Sequence, residues 1–437
     1  MRSGVVWRRS ATAVGVYASA ALGLASTVVA ARLLGPRDFG LFALVLAATA
    51  FFQVLLDATV EEAAVKYGFR YTAEEDWGRL RRLFAVGARV KLAGGGLAAL
   101  AIAGLAPLAG AVFGAEGLFG PLLLAALIPV VQAPESLAGA VLIVRERYDL
   151  RAAFMALAMA LRLAGIAVGA QYGIVEAVAG ILVAQVFATL AISLAAWAAF
   201  GRFPAAPPAP IGPDRGELIR FVLKSSAATA LVTGRTSLAP LLLGVVSTPL
   251  QVGFFRAAQA PQTGLASLSA PARLVLLTEQ TRDFESGRLD RVYRLLRHYV
   301  GATAVLMAVL VPLLWWLMPS IVELLYGEPF LPAVEATRLI VVAAGIALVF
   351  GWTKSFPVSI GRPGLRIATH GVETAVLLPL VLLLGGRWGA TGAAAAVLLS
   401  TLVFAGLWTF LLVRIRRAHV GPGRPAPRAG GAEPLVR

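Results

Sequence analysis

Ala31-Arg32-Leu33-Leu34-Gly35-Pro36-Arg37-Asp38-Phe39-Gly40-Leu41 is a short turn between two apolar runs, residues 11–32 and 40–65. Each run has the roughly 20 residues that a helix needs to cross a bilayer. Working outward, ten more runs follow, at 84–106, 119–143, 152–171, 174–199, 219–245, 250–276, 296–318, 333–357, 365–385 and 389–413. The chain therefore reads as an all-α membrane protein of about twelve transmembrane helices. Its composition agrees, with 59% hydrophobic and only 14% charged residues and a mean hydropathy of +0.80. Soluble chains carry about 25% charge, so lipid has to replace water over much of the perimeter. The first run is matched too well to the later ones to read as a cleaved signal peptide, and it is taken as the first span.

The connections alternate in basic content. One side carries Arg2, Arg8 and Arg9, then Arg79, Arg81 and Arg82, then Arg145, Arg147 and Arg151. It continues through Arg202, Arg215 and Arg220 to Arg291, Arg294 and Arg297, and on to Arg414, Arg416 and Arg417. The other side has only Arg32, Arg37, Arg338 and Arg387. The positive-inside bias makes the basic side cytoplasmic, so both termini are expected inside. The net charge of +16 thus reads as orientation signal, and no nucleic-acid partner is expected. There is no Cys, which excludes disulfides, thiol catalysis and thiolate metal sites. His298, His370 and His419 lack metal-ligand spacing, so neither a metal nor a cofactor is expected. No phosphate-binding G-x-x-x-x-G-K-[ST] loop for ATP is present.

The chain repeats itself. Leu33-Leu34-Gly35 recurs as Leu242-Leu243-Gly244, and Asp38-Phe39-Gly40-Leu41-Phe42 as Gln251-Val252-Gly253-Phe254-Phe255. Gly78-Arg79-Leu80 recurs as Gly287-Arg288-Leu289, Leu150-Arg151 as Leu365-Arg366, and Tyr172-Gly173 as Trp388-Gly389. The offsets run from about 209 to 216 residues and keep their order. Six spans per copy is an even number, so the repeat is parallel, as in many secondary transporters. The expected division is an N-terminal six-helix lobe at 1–200, a Pro-rich cytoplasmic linker at 201–216, a second six-helix lobe at 217–414 and a disordered basic tail at 415–437.

The turn Ala31–Leu41 is similar to the first periplasmic turn of bacterial polysaccharide flippases of the multidrug/oligosaccharidyl-lipid/polysaccharide (MOP) exporter superfamily, whose signature R-x-L-G-P-x-x-F-G is intact here. Asp57-Ala58-Thr59-Val60-Glu61-Glu62-Ala63 resembles that family's D-x-G-x-x-x-A stretch, with Thr59 in place of the usual Gly. The resemblance implies two pseudo-symmetric six-helix lobes around a central cavity. It also implies flipping of a polyprenyl-diphosphate-linked oligosaccharide (an O-antigen, capsule or exopolysaccharide unit) across the bacterial cytoplasmic membrane. A polysaccharide polymerase and a chain-length regulator are the protein partners it suggests.

The residues supply a site of their own. Arg162 sits near the centre of span 5 and Arg235 just past the middle of span 7. A cation at mid-bilayer costs about 2.5–3.5 kcal/mol on insertion scales, so both should face protein or water. Lys224 and Arg235 share a face of span 7, and Arg256, Gln259 and Thr263 share one in span 8. Gln53, Asp57 and Glu61 form a stripe in span 2. The plain reading of such stripes is interhelical hydrogen bonding. The functional reading is that Arg162, Lys224, Arg235 and Arg256 line the cavity and hold an anionic headgroup through charge-assisted hydrogen bonds. Asp57, Glu61 and Glu373 are the candidates for ion coupling. Arg89, Lys91, Arg273 and Lys354 lie near span ends and are expected to snorkel. Pro129, Pro134, Pro240 and Pro261 should interrupt their helices. Two alternatives compete with the flippase: a multidrug or other small-molecule exporter of the same fold, and a membrane glycan polymerase or transferase. An excess of intramembrane cations disfavours the first, and the short outer loops disfavour the second, so no enzyme is expected.

Overall fold

A computed structural model describes residues 2–212, 214–268, 270–362 and 364–420, with side chains described outside 2–13, 16, 228, 231–235, 266–275 and 418–420. Of the disordered tail expected at 415–437, residues 415–420 instead continue α16 as helix, and the rest lies outside the described residues. The first half runs α1 (Arg2–Leu56), α2 (Val60–Ala73), α3 (Trp77–Leu105), α4 (Ala109–Phe113), α5 (Phe119–Ala125), α6 (Leu127–Val144), α7 (Tyr148–Gly169) and α8 (Ile174–Phe200). The second runs α9 (Asp214–Val246), α10 (Pro249–Ala258), α11 (Ala260–Leu268), α12 (Ala270–Glu285), α13 (Leu289–Tyr326), α14 (Val334–Val349), α15 (Phe356–Ser359) and α16 (Gly364–Val420). The described residues are all-helical apart from turns and the linker.

Eight stretches are long and apolar enough to cross a membrane unaided. Two of them, Tyr17–Leu56 with 40 residues and Gly364–Arg417 with 54, are about twice a bilayer crossing. Both change direction at a glycine with positive φ, Gly35 (φ 73°) and Gly389 (φ 56°), a region that side chains with a Cβ rarely enter. Each thus supplies two of the expected spans. The remaining two correspond to α9 and the broken series α10–α12. The count of about twelve fits this arrangement.

The breaks have identifiable causes. A proline cannot bond the carbonyl four residues back, and the interruptions at Ala126 and Gln259 fall just before Pro129 and Pro261. The carbonyl that Pro261 frees, that of Ala257, accepts instead from the Tyr326 hydroxyl at 3.3 Å. A third break was not expected. Span 2 is interrupted at Asp57–Thr59, between α1 and α2. The exposed backbone is satisfied there by Thr59 N–H donating to Ser226 Oγ of α9 at 2.8 Å. Glycine at position 94 makes room, since a Cβ there would press on the Leu56 carbonyl and the Asp57 Cα.

Two different seams join the halves. At the end of the bundle expected to be periplasmic, α1 crosses α10 so closely that a Cβ on Gly40 would overlap the Pro249 carbonyl, and one on Gly253 would overlap the Pro36 carbonyl. Gly40 and Gly253 are the matched glycines of the repeat, so the contact is reciprocal. Around it pack Phe39, Phe254, Tyr326 and Phe330, with ring centroids 5.4–6.1 Å apart. Arg32 donates to the carbonyls of Leu324 and Leu325 at the end of α13. At the basic end the seam is polar and runs between α2 and α9. Ser225 donates to Glu62, Lys66 pairs with Glu217 at 3.2 Å, and Arg70 pairs with Asp214 at 3.3 Å. The Tyr71 hydroxyl donates to Asp214 at 3.1 Å, and burial together with that carboxylate pushes the Tyr71 pKa up to about 12.

Large apolar side chains such as Trp197, Val305, Val309 and Trp316 are 66–78% exposed on the outer surface, where acyl chains would cover them. Gly40→Val or Gly253→Val is expected to cost more than the roughly 1–3 kcal/mol of ordinary overpacking, because the obstacle is backbone. Gly96→Ala, at a helical glycine with open space around it, should leave the protein as stable or slightly more so. Thermal unfolding of the detergent-solubilised protein distinguishes these outcomes.

Candidate functional site

Three polar cavities lie inside the bundle. The first, of about 210 Å³, lies between the halves and is lined by Ser26, Thr27, Phe39, Met159, Arg162 and Arg256, among others. Arg162 comes from α7 of the first half and Arg256 from α10 of the second. Among the described residues, no carboxylate lines this cavity. Arg256 is held by Gln259 Oε1 at 3.1 Å, the neighbour expected from the span 8 stripe. Ser26 and Thr27 spend their hydroxyl protons on the carbonyls of Leu22 and Gly23, which leaves their oxygen lone pairs and the two guanidinium groups facing the space. Lys224 is exposed on α9 and does not line this cavity. Arg235 belongs to α9, and its side chain is outside the described residues.

The second cavity, of about 280 Å³, lies within the first half. Gln53, Asp57 and Glu61, the expected stripe, all line it despite the break at Asp57. Each carboxylate has a partner brought by another helix. Asp57 Oδ2 pairs with Lys91 of α3. Glu61 pairs with Arg151 of α7 at 2.7 Å. Glu135 accepts from Gln185 of α8 at 2.6 Å, and Gln53 donates to Gln132 at 3.0 Å. Lys91, expected to snorkel, instead points inward and is only 6% exposed. The break in span 2 delivers Asp57 to it, which outweighs the short reach to the headgroups. Asp57 Oδ1 is buried without a hydrogen-bond partner, packed close to Gly94 of α3.

The third cavity, of about 150 Å³, lies in the second half and is lined by Gln262, Lys354, His370, Glu373, Thr401 and Phe404, among others. His370 Nδ1 lies 2.9 Å from Glu373 Oε2, and its ring stacks on Phe404 at 5.1 Å. Lys354, also expected to snorkel, lines this cavity instead. The second and third cavities occupy equivalent places in the repeat. Gln53 corresponds to Gln262, Gln132, Glu135 and Ser136 to Ala344, Ala347 and Leu348, Met155 to His370, and Ile192 to Phe404. All these offsets fall inside the 209–216 range read from the sequence. The chemistry of the two linings differs: the polar row Gln132, Glu135 and Ser136 on α6 corresponds to apolar residues on α14, and charge in the third cavity comes from Lys354 and from His370 and Glu373 of α16.

The Lys91–Asp57 pair makes a quantitative case. Removing one partner of a buried ion pair costs about 3–5 kcal/mol, because the other charge is left uncompensated. Lys91→Met should therefore destabilise strongly, and adding Asp57→Asn should restore much of the loss. Thermal unfolding of the two single variants and the double variant checks this, and additive losses would contradict the pairing.

The architecture has solved counterparts. An inward-facing multidrug resistance MATE family transporter of the MOP superfamily superposes with a TM-score of 0.76 at 14% identity, over 92% of this chain and 94% of that one. The lipid II flippase MurJ, in an inward closed conformation, superposes with a TM-score of 0.71 at 13% identity, over 92% and 87% of the two chains. A MOP superfamily transporter from Pyrococcus furiosus, described as having a binding pocket of reverse polarity that suggests a different function, gives 0.57 at 14% identity, over 93% and 94%. No curated protein matches the chain significantly. The sequence model of the polysaccharide biosynthesis protein family matches residues 29–335, a stretch that takes in the glycine turn, the reciprocal crossing and both cavity arginines. The chain belongs to the polysaccharide biosynthesis protein family and is built on the fold shared by MOP-superfamily transporters and flippases.

Proposed function

We propose that this membrane flippase or exporter carries a polyprenyl-diphosphate-linked oligosaccharide from the cytoplasmic to the outer leaflet of the bacterial cytoplasmic membrane. The observation that supports this reading best is the cavity between the halves, with a guanidinium from each half and no carboxylate among the described residues. Two cations held near each other without an acid favour an anion. Arg binds phosphate through a planar fork of donors. A hydrophobic cationic drug would meet repulsion there, which disfavours the small-molecule exporter. Lys224 and Arg235 on α9 would meet the same headgroup as it enters from the basic side.

Alternating access fits the two seams. The glycine crossing closes the expected periplasmic end, and the polar α2–α9 seam is the one that water can loosen. Asp57 and Glu61 in the first half, and Glu373 in the second, are the proposed ion-coupling groups. Each lies in a cavity with a basic partner that a proton or cation would compete with. The reading places residues 1–200 and 217–414 as two rocking lobes joined by the linker 201–216, with both termini in the cytoplasm. A polymerase and a chain-length regulator would receive the flipped product.

Arg162→Gln and Arg256→Gln are each expected to reduce flipping roughly 10- to 100-fold at unchanged protein level, the loss of one charged hydrogen-bonding group worth about 1.5–3 kcal/mol. The measurement is accumulation of lipid-linked precursor in the inner leaflet of cells that depend on the variant. Full complementation by both variants, or efflux of a cationic dye that depends on neither arginine, would overturn the cargo.

A further inference from the structure

The largest cavity described has no part in that scheme. It has about 630 Å³ and lies at the basic end of the second half, between the start of α13 and the end of α16. Its polar lining is Asp290, Tyr293, Arg294, Arg297 and Arg416. Three guanidinium groups thus face one carboxylate. No ion pair among the described residues involves Arg294, Arg297 or Arg416. Arg416 lies over the Tyr293 ring, 6.0 Å from its centroid, so the aromatic face holds it without neutralising it.

The repeat shows why the hollow is there. In the first half the equivalent place, between α3 and α8, is closed by the linker. Phe203 packs on Trp77 and Phe200, with both ring centroids 5.6 Å away. Arg81 donates to the Pro204 carbonyl at 3.2 Å, and Ala209 N–H donates to the Gly78 carbonyl at 3.0 Å. The second half has no described segment in that role. The chain beyond Val420 carries Arg424, Arg428 and Arg437 against Glu433, so its charge has the wrong sign for a cationic pocket.

The helix face that carries the arginines continues into the bilayer region. Asp290, Arg294, Arg297, Gly301, Val305 and Val309 follow one side of α13 at spacings of three and four residues. Val305 and Val309 are 68% and 66% exposed. Nothing lies within 4 Å of where a Gly301 Cβ would sit, so an open notch joins the cationic pocket to the apolar strip. Charge at the top, a notch, then about 12 Å of exposed aliphatic helix is the outline of a phospholipid. We propose that this cavity binds the phosphate headgroup of an anionic membrane lipid, with an acyl chain along Gly301–Val305–Val309. The basic end is the one that the Arg distribution assigns to the cytoplasm, where the leaflet is anionic. The site is separate from the cavity between the halves and does not depend on the cargo assigned to it.

The test is native mass spectrometry of the full chain in detergent, titrated with phosphatidylglycerol, phosphatidylcholine and glycerol phosphate. One phosphatidylglycerol should be retained in preference to phosphatidylcholine. Arg294→Gln with Arg297→Gln should weaken it about thirtyfold, since each cation near an anionic headgroup is worth roughly fivefold. Gly301→Leu, which fills the notch and leaves every charge in place, should weaken it too, and Arg162→Gln with Arg256→Gln should retain it. Equal retention of the two lipids, or indifference to both the arginine and the glycine substitutions, would overturn the proposal. Glycerol phosphate binding as tightly as the lipid would also overturn it and make the ligand a soluble phosphate.

Discussion

The reciprocal contact of Gly40 with the Pro249 carbonyl and of Gly253 with the Pro36 carbonyl is the constraint on which the two-lobed arrangement rests. Here the halves meet backbone to backbone, and each half contributes the same element to the contact. Only a residue without a Cβ permits that approach. The crossing sets α1 beside α10, and Arg162 and Arg256 consequently reach one cavity although they are far apart in sequence. Apolar rings and the Arg32 contacts to α13 surround the crossing, so this end of the bundle is dry and tightly packed. The opposite end is held by polar contacts, some exposed, as Lys66–Glu217, and some made to the buried Asp214; the exposed pairs are individually worth little in water.

Much of this was legible in the sequence, because lipid imposes strict requirements. Apolar runs near 20 residues followed from composition and order alone, and helices long enough to cross a membrane stand at most of them. The turn at Gly35 and the matched Gly40 and Gly253 were visible as letters of a motif, but the reason for them was not, since close approach between two helices leaves no periodic trace. Arg162 stood out because a cation at mid-span has no escape to the headgroups. Its company with Arg256 depends on a crossing that only the folded chain shows.

The polar cavities within the halves were the least legible part. Lys91 looked like a snorkelling residue because it is near a span end. Its role depends on a helix break at Asp57, in a stretch that read as continuous helix, and on Gly94 across from it. Glu61 and Arg151 are ninety positions apart, and no spacing rule joins such residues. His370 and Glu373 are three residues apart on a helix, a spacing that brings such side chains together. The two cavities take their linings from corresponding positions of the repeat, and their charged residues differ.

The central claim is that the cavity between the halves holds the diphosphate of a lipid-linked glycan. The most direct measurement is an electron cryomicroscopy structure of the full chain in lipid nanodiscs with a polyprenyl-diphosphate-linked sugar. The account predicts density for the diphosphate within hydrogen-bonding distance of both Arg162 and Arg256, with the prenyl chain leaving sideways into lipid. An empty arginine cavity, with the headgroup bound elsewhere on the protein, would contradict it.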